Sequence, residues 1–82
     1  MKLNFYTTSG CHLCEQALQV IASLQVTSYP QLHVTQIDIA DDDLLIERYG
    51  IRIPVIQIPA TELELGWPFD AEAVTRFLEQ PA

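Results

Sequence analysis

The sequence predicts an α/β domain in which helices cover both faces of a mixed four-stranded sheet. Strand-like and helix-like segments alternate along the first half of the chain, and a strand–helix–strand unit of this kind is expected to be parallel and right-handed. Two further strands then follow closely enough to form a hairpin. With 82 residues, 49% of them hydrophobic, we expect residues 1–82 to form a single domain of order β-α-β-α-β-β-α.

The first half of the chain contains two predicted strands around one helix. The first strand is predicted over Lys2–Tyr6 and the second over Leu32–Ile39. The second strand has apolar residues on both faces, which favours a sheet covered on both sides. The helix between them is predicted over Glu15–Leu24 and should end near Thr27. Its buried face is indicated by four residues at helical spacing: Cys14, Ala17, Ile21 and Leu24.

The second half of the chain contains a short helix, a hairpin and a last helix. Acidic residues at the start of Asp42–Tyr49 favour a helix there, with Gly50 as its end. The nearly continuous apolar segment Val55–Ile58 predicts a central strand, and the alternating segment Glu62–Leu65 predicts a fourth. Asp70 should cap the last helix. The predicted buried face of that helix consists of Val74, Phe77 and Leu78.

The only two cysteines, Cys11 and Cys14, form a C-x-x-C motif at the predicted start of the first helix. Unpaired N–H groups and aligned peptide dipoles place partial positive charge there, which stabilises a thiolate. Cys11 is therefore the candidate nucleophile, and the more deeply placed Cys14 is the candidate resolving sulfur. His12, between them, can carry positive charge near neutral pH and support the thiolate.

Two other interpretations of the cysteines stay open. Free cysteines are often inert core residues, and a C-x-x-C pair supplies two of the four ligands of a zinc site. The remaining zinc ligands would have to come from His12 and His33, which are poorly placed to complete one tetrahedron. We therefore favour redox chemistry over metal binding and predict no metal ligands.

Charge and hydropathy exclude several classes of function. The net charge of −7 disfavours nucleic-acid binding and repels other anions, including glutathione. Arg48 and Arg52 are either a local basic site near Pro54, a candidate active-site residue, or ordinary solvated charges. No apolar run approaches the length of a membrane span, and the N-terminus lacks a secretory h-region. We therefore expect a cytoplasmic protein with reduced thiols.

Three segments resemble the thioredoxin fold and, more closely, the small glutaredoxin-like domains of bacteria. They are YTTSGCHLC at residues 6–14, YGIRIPV at residues 49–55 and GWPFD at residues 66–70. The resemblance covers nearly the whole chain. It implies a thiol–disulfide oxidoreductase whose substrate is a protein disulfide or glutathione, with no cofactor required. We expect the chain to act as a monomer.

The resemblance also implies roles for residues outside the motif. Pro54 corresponds to a cis-proline beside the cysteine pair, and Ile53 before it corresponds to the residue that pairs with substrate backbone. Arg52, Trp67 and Asp70 are candidate substrate-binding residues. Trp67 and Phe69 form either an apolar rim for a partner or part of the core, where large aromatic residues usually lie.

The chain departs from glutaredoxins at two places. Gly10 replaces the basic residue before the first cysteine, and the segment before Asp70 lacks the paired glycines that hold glutathione. Glutathione is therefore disfavoured. The alternatives to catalysis are a non-catalytic thioredoxin-fold binding module and an iron–sulfur or zinc carrier.

Overall fold

The computed structural model describes residues 1–80 and has the predicted order of strands and helices. The strands are β1 (Lys2–Thr7), β2 (His33–Asp38), β3 (Val55–Ile58) and β4 (Leu63–Gly66). The helices are α1 (His12–Thr27), α2 (Asp43–Tyr49) and α3 (Ala71–Leu78), and a 3₁₀ turn (Ile39–Asp41) joins β2 to α2.

The four strands form one mixed sheet in the order β2-β1-β3-β4. β1 and β2 are parallel, as the strand–helix–strand unit predicts, and β3 is antiparallel to both β1 and β4. In the β1–β3 pair Tyr6 lies opposite Val55. Pro54, the residue before Val55, therefore lies at the same end of the sheet as the loop that connects β1 to Cys11.

Helices pack against both faces of this sheet. One face buries Leu3, Phe5 and Ile56 against α1 and α3. The buried residues of the two helices include all seven that the helical spacing predicts: Cys14, Ala17, Ile21, Leu24, Val74, Phe77 and Leu78. The opposite face buries a second cluster, formed by Tyr6, Ile39, Tyr49 and Val55, which lies under α2 and the 3₁₀ turn.

The first helix is longer at both ends than the predicted range Glu15–Leu24. It begins at His12 because Cys11 caps it, and it continues to Thr27. The predicted break at residues 27–30 is confirmed, since Thr27 is the last helical residue, and its hydroxyl donates to the Ser23 carbonyl at 2.9 Å within the exposed last turn. The N–H groups of Ser28 and Tyr29 then close the helix on the Leu24 carbonyl.

Shorter elements differ from prediction by one or two residues. Ile39 leaves β2 because the Asp38 carboxylate accepts a hydrogen bond from the Ala40 N–H at 2.9 Å and starts the 3₁₀ turn. α2 begins one residue later than predicted because Asp42 is its N-cap, accepting from the Leu44 N–H at 2.8 Å.

Candidate active site

Cys11 and Cys14 are joined by a disulfide at the start of α1, with their Cα atoms 5.2 Å apart. This separation is ordinary for a disulfide. Cys14 is only 2% exposed, whereas Cys11 is half-buried and reaches the surface. A substrate can therefore approach the sulfur of Cys11 but not that of Cys14.

The Cys11 sulfur lies at the N-cap of α1. The Cys11 backbone is extended, and the Cys14 N–H donates a hydrogen bond to Sγ at 3.1 Å. A helix has several N–H groups without partners at this end, and the macrodipole adds partial positive charge. The same donor would stabilise negative charge on Sγ once the disulfide is reduced.

An open cleft of about 370 Å³ lies beside the disulfide. Its walls are the β1–α1 loop, the first turn of α1 and the end of β2, and both cysteines line it. The charged residues of the lining are Glu15 and Asp38. This side of the motif is therefore acidic.

His12, predicted to support the thiolate, projects away from the core. Its side chain is 91% exposed, and Nδ1 lies 3.7 Å from Oε2 of Glu15. Because that carboxylate lies beside the imidazole, it offsets any positive charge that His12 would contribute to the sulfur.

Ile53 and Pro54 lie where β3 begins, and the peptide bond between them is cis. Pro54 is buried, and its carbonyl accepts a hydrogen bond from the Trp67 N–H at 3.0 Å. The Ile53 N–H donates to the Tyr49 carbonyl at 3.1 Å. Of the two Ile53 backbone groups, the carbonyl is therefore the better candidate for pairing with a substrate.

Arg52 and Arg48, the candidate basic site, both bind Glu64 of β4. The distances are 3.2 Å from Arg52 Nη2 to Oε1 and 3.4 Å from Arg48 Nη2 to Oε2. Neither of the two sequence-based interpretations, a local basic site or solvated charges, predicted this contact. The two guanidinium groups also lie 5.3 and 5.5 Å from the centre of the Tyr49 ring, within cation–π range.

Glu64 is the residue that sequence reasoning missed. Its side chain is 14% exposed, and Oε2 accepts hydrogen bonds from the Tyr49 hydroxyl at 2.5 Å and from Gln57 Nε2 at 3.3 Å. The Tyr6 hydroxyl donates to Gln57 at 2.9 Å, and the Tyr6 ring stacks on Tyr49. In this alternating strand Glu64 lies on the face opposite Leu63 and Leu65, so the sequence pattern carried no signal for its buried role.

The ionisation states of Glu64 and Tyr49 follow from these contacts. Burial raises the pKa of Glu64, but hydrogen bonds from Tyr49 and Arg52 and the nearby Arg48 charge outweigh it, so the pKa of Glu64 is lowered. Burial and the adjacent carboxylate raise the pKa of Tyr49 well above its usual value of 10.0. At neutral pH the Tyr49 phenol is therefore the donor and the Glu64 carboxylate the acceptor.

The remaining candidates lie on the segment that leads into α3. Trp67 is half-buried and meets Phe69 edge to face, with ring centres 5.1 Å apart. Phe69 is buried and belongs to the core, whereas Trp67 packs on its margin. The Asp70 carboxylate accepts from the Ala73 N–H at 2.8 Å and is the predicted N-cap of α3.

Residues 1–80 contain neither a metal-binding cluster nor a membrane-spanning helix. Within that range no three side chains of His, Cys, Asp or Glu converge to hold a metal ion. Nor does any helix of the described chain have the length and apolar character needed to cross a membrane.

The sequence from residue 2 to residue 79 matches the family model described as Glutaredoxin-like domain (DUF836). The chain belongs to this glutaredoxin-like family. No curated protein matches it. As a glutaredoxin-like domain, the chain combines the thioredoxin fold expected from the sequence with a C-x-x-C pair at the start of α1.

Several solved structures are similar to this chain over most of its length. The X-ray structure of target protein XcR50 from X. campestris is 35% identical, with a TM-score of 0.79 over 94% of this chain and 95% of that one. Protein Ne2328 from Nitrosomonas europaea is 31% identical, with a TM-score of 0.74 over 93% and 88% of the two chains. Thioredoxin 1 from Thermosipho africanus is 17% identical, with a TM-score of 0.59 over 96% of each chain, and shares the fold.

Proposed function

We propose that this glutaredoxin-like domain is a thiol–disulfide oxidoreductase that reduces disulfides in proteins. The observation that carries the proposal is the half-buried Cys11 at the N-cap of α1, whose sulfur lies 3.1 Å from the Cys14 backbone nitrogen. A thiolate is the attacking species in disulfide exchange, and a helix N-terminus lowers the pKa of a thiol. The buried Cys14 is close enough to Cys11 to complete the exchange.

The proposed reaction has two exchange steps and transfers two electrons. The Cys11 thiolate attacks one sulfur of the substrate disulfide, forms a mixed disulfide and releases the other sulfur as a thiolate that takes up a proton. Cys14 loses its proton and attacks Cys11 Sγ, which breaks the mixed disulfide and releases the second substrate thiol. The Cys11–Cys14 disulfide remains, and an external dithiol must reduce it before the next cycle.

A protein substrate fits the surroundings of Cys11 better than glutathione does. Glutathione is anionic, and the cleft beside the disulfide carries Glu15 and Asp38. Arg52 is bound to Glu64, and the Asp70 carboxylate caps α3, so neither is placed to hold the glutathione ends. An extended protein segment could instead pair with the Ile53 carbonyl, a form of strand addition.

The reaction as proposed needs one copy of the chain and no bound cofactor. A compartment that keeps thiols reduced, such as the cytoplasm, would drive it towards reduction of the substrate.

The test is reduction of a protein disulfide by the chain in its dithiol form, with a small dithiol as the recycling reductant. Wild type should accelerate the reaction, Cys11→Ser should abolish the acceleration, and Cys14→Ser should accumulate a mixed disulfide with the substrate. Equal rates for wild type and Cys11→Ser would exclude the proposal. Recovery of glutathione alone from the Cys14→Ser variant in cells would replace the protein substrate with glutathione.

A binding module is the second candidate, and two exposed apolar side chains favour it. Ile51 in the α2–β3 connection is fully exposed, and Leu13 within the motif is 46% exposed. Leu13 lies within the cysteine motif and Ile51 lies two residues before Ile53 in the sequence, so both belong to segments predicted to form the site. A chain with both cysteines changed to serine separates the candidates, because a module keeps its partner and its cellular function whereas an oxidoreductase loses its activity.

A further inference from the structure

Glu64 of β4 contacts the segment that joins α2 to β3, here called the α2–β3 connection (residues 50–54). Oε2 accepts from the Tyr49 hydroxyl at 2.5 Å, and Oε1 accepts from Arg52 Nη2 at 3.2 Å. Tyr49 is the last residue of α2, and Arg52 is the last residue before the Ile53–Pro54 peptide. One carboxylate thus contacts both ends of the four-residue segment 49–52. This segment leads directly to Ile53, the candidate residue for pairing with substrate backbone.

The backbone of Ile53 depends on the same segment. The N–H groups of Arg52 and Ile53 both donate to the Tyr49 carbonyl, at 2.8 and 3.1 Å. Tyr49 itself is held by its hydroxyl bond to Glu64 and by stacking on Tyr6, with ring centres 4.1 Å apart. Displacement of Tyr49 or Arg52 would therefore move the Ile53 carbonyl.

Apolar packing contributes little to holding the middle of this connection. The Ile51 side chain is fully exposed, and Gly50 has no side chain. An exposed ion pair would contribute too little to hold the connection in place of apolar packing. Glu64, however, is largely buried and receives hydrogen bonds from four side chains, which fixes its geometry.

We propose that Glu64 is a positioning residue that holds the α2–β3 connection so that the Ile53 backbone is ready to pair with an extended protein substrate. This inference rests on the proposed oxidoreductase function and deepens it. Each hydrogen-bond partner of Glu64 lies on α2, the connection or β3, so Glu64 acts on substrate binding and not on the sulfur chemistry.

The experiment compares two substrates that share the sulfur chemistry and differ in backbone contacts. One is a peptide disulfide long enough to lie along Ile53, and the other is dithiodipyridine, an aryl disulfide without a peptide backbone. The variants are Glu64→Ala and Glu64→Gln, with Glu72→Gln as the matched control. Glu72 also forms an ion pair with an arginine, Arg76, but within one turn of α3 and on its exposed surface. All rates are measured at a temperature where circular dichroism shows each variant folded.

Glu64→Ala should raise KM for the peptide about fivefold or more and leave kcat within about twofold, the pattern of lost substrate binding. Its rate with dithiodipyridine should match wild type. Glu64→Gln keeps two polar atoms at the same place and should have a smaller effect on the same KM. The control Glu72→Gln should match wild type with both substrates.

Amide hydrogen exchange supplies a readout that does not depend on activity. Exchange at the Ile53 and Arg52 N–H groups should accelerate in Glu64→Ala relative to the core amides of β1. Any one of three results would overturn the inference: an equal loss of activity with both disulfides, an unchanged KM for the peptide, or unchanged hydrogen exchange at Ile53. If the wild-type protein is inactive on both disulfides, the proposed function is overturned, and the role of Glu64 in substrate binding with it. Hydrogen exchange at Ile53 would still show whether Glu64 holds the α2–β3 connection.

Discussion

The Tyr49 hydroxyl gives a sharp test of the hydrogen bonds around Glu64, because Tyr49→Phe removes one oxygen and leaves the ring. The ring would keep its stacking on Tyr6 and its position beside the two arginines. The lost hydrogen bond, at 2.5 Å, goes to a carboxylate whose side chain is 14% exposed. A hydrogen bond to a charged group contributes about 1.5–3 kcal/mol, so we expect the free energy of unfolding to fall by about that amount at neutral pH.

Tyr29→Phe is the matched control for this substitution. The Tyr29 hydroxyl also donates to a carboxylate, that of Glu79, but at 3.3 Å and on the exposed surface. Its loss should therefore cost clearly less than the loss of the Tyr49 hydroxyl. For a domain of this size, each kcal/mol lowers Tm by about 4–8 °C, so thermal and urea unfolding both resolve the difference. The reasoning fails if Tyr49→Phe costs no more than Tyr29→Phe.

The pH dependence of this effect has a definite sign. The pKa of Glu64 is lowered in the folded protein, so its contribution to stability is present above the ordinary value of 4.5 and disappears as the pH falls through the folded value. The stability difference between wild type and Tyr49→Phe should therefore be largest at neutral pH and shrink in acid. A difference that stays constant across this range would show that the charge of Glu64 is not involved.

Four further substitutions at three positions test the packing, a helix cap and the surface, each by urea unfolding. Phe77→Ala empties a buried site and should cost about 3–5 kcal/mol; a cost below 1 kcal/mol would place Phe77 outside the core. Asp70→Ala removes the N-cap of α3 and should cost about 1 kcal/mol, whereas Asp70→Asn should cost little because Asn also caps. Arg76→Gln breaks an exposed pair with Glu72 and should cost less than about 0.5 kcal/mol.

The order of elements could be predicted because each depends on nearby residues. The seven buried positions of α1 and α3 follow helical spacing, and Asp70 precedes α3 as an N-cap should. The location of the cysteine motif followed from the same local pattern. Helix ends were harder to predict because Thr27 can be accommodated by a side-chain bond to the preceding turn.

Contacts between distant residues could not be predicted from the sequence. Glu64 binds partners 7, 12, 15 and 16 positions away, and only the packing of β4 against β3 brings them together. The sequence therefore indicates Arg52 as a candidate substrate-binding residue and does not reveal its contact with Glu64. The exposure of His12 and its pairing with Glu15 likewise depend on where α1 begins, at His12 itself.

The most direct test of the central claim is titration of the Cys11 thiolate by its ultraviolet absorbance in the reduced Cys14→Ser variant. The substitution leaves one thiol and keeps the backbone N–H at position 14 that faces the Cys11 sulfur. We predict a pKa clearly below the value of about 8.5 for a free cysteine. A pKa at or above that value would show that the start of α1 does not stabilise the thiolate, and it would contradict the proposed nucleophile.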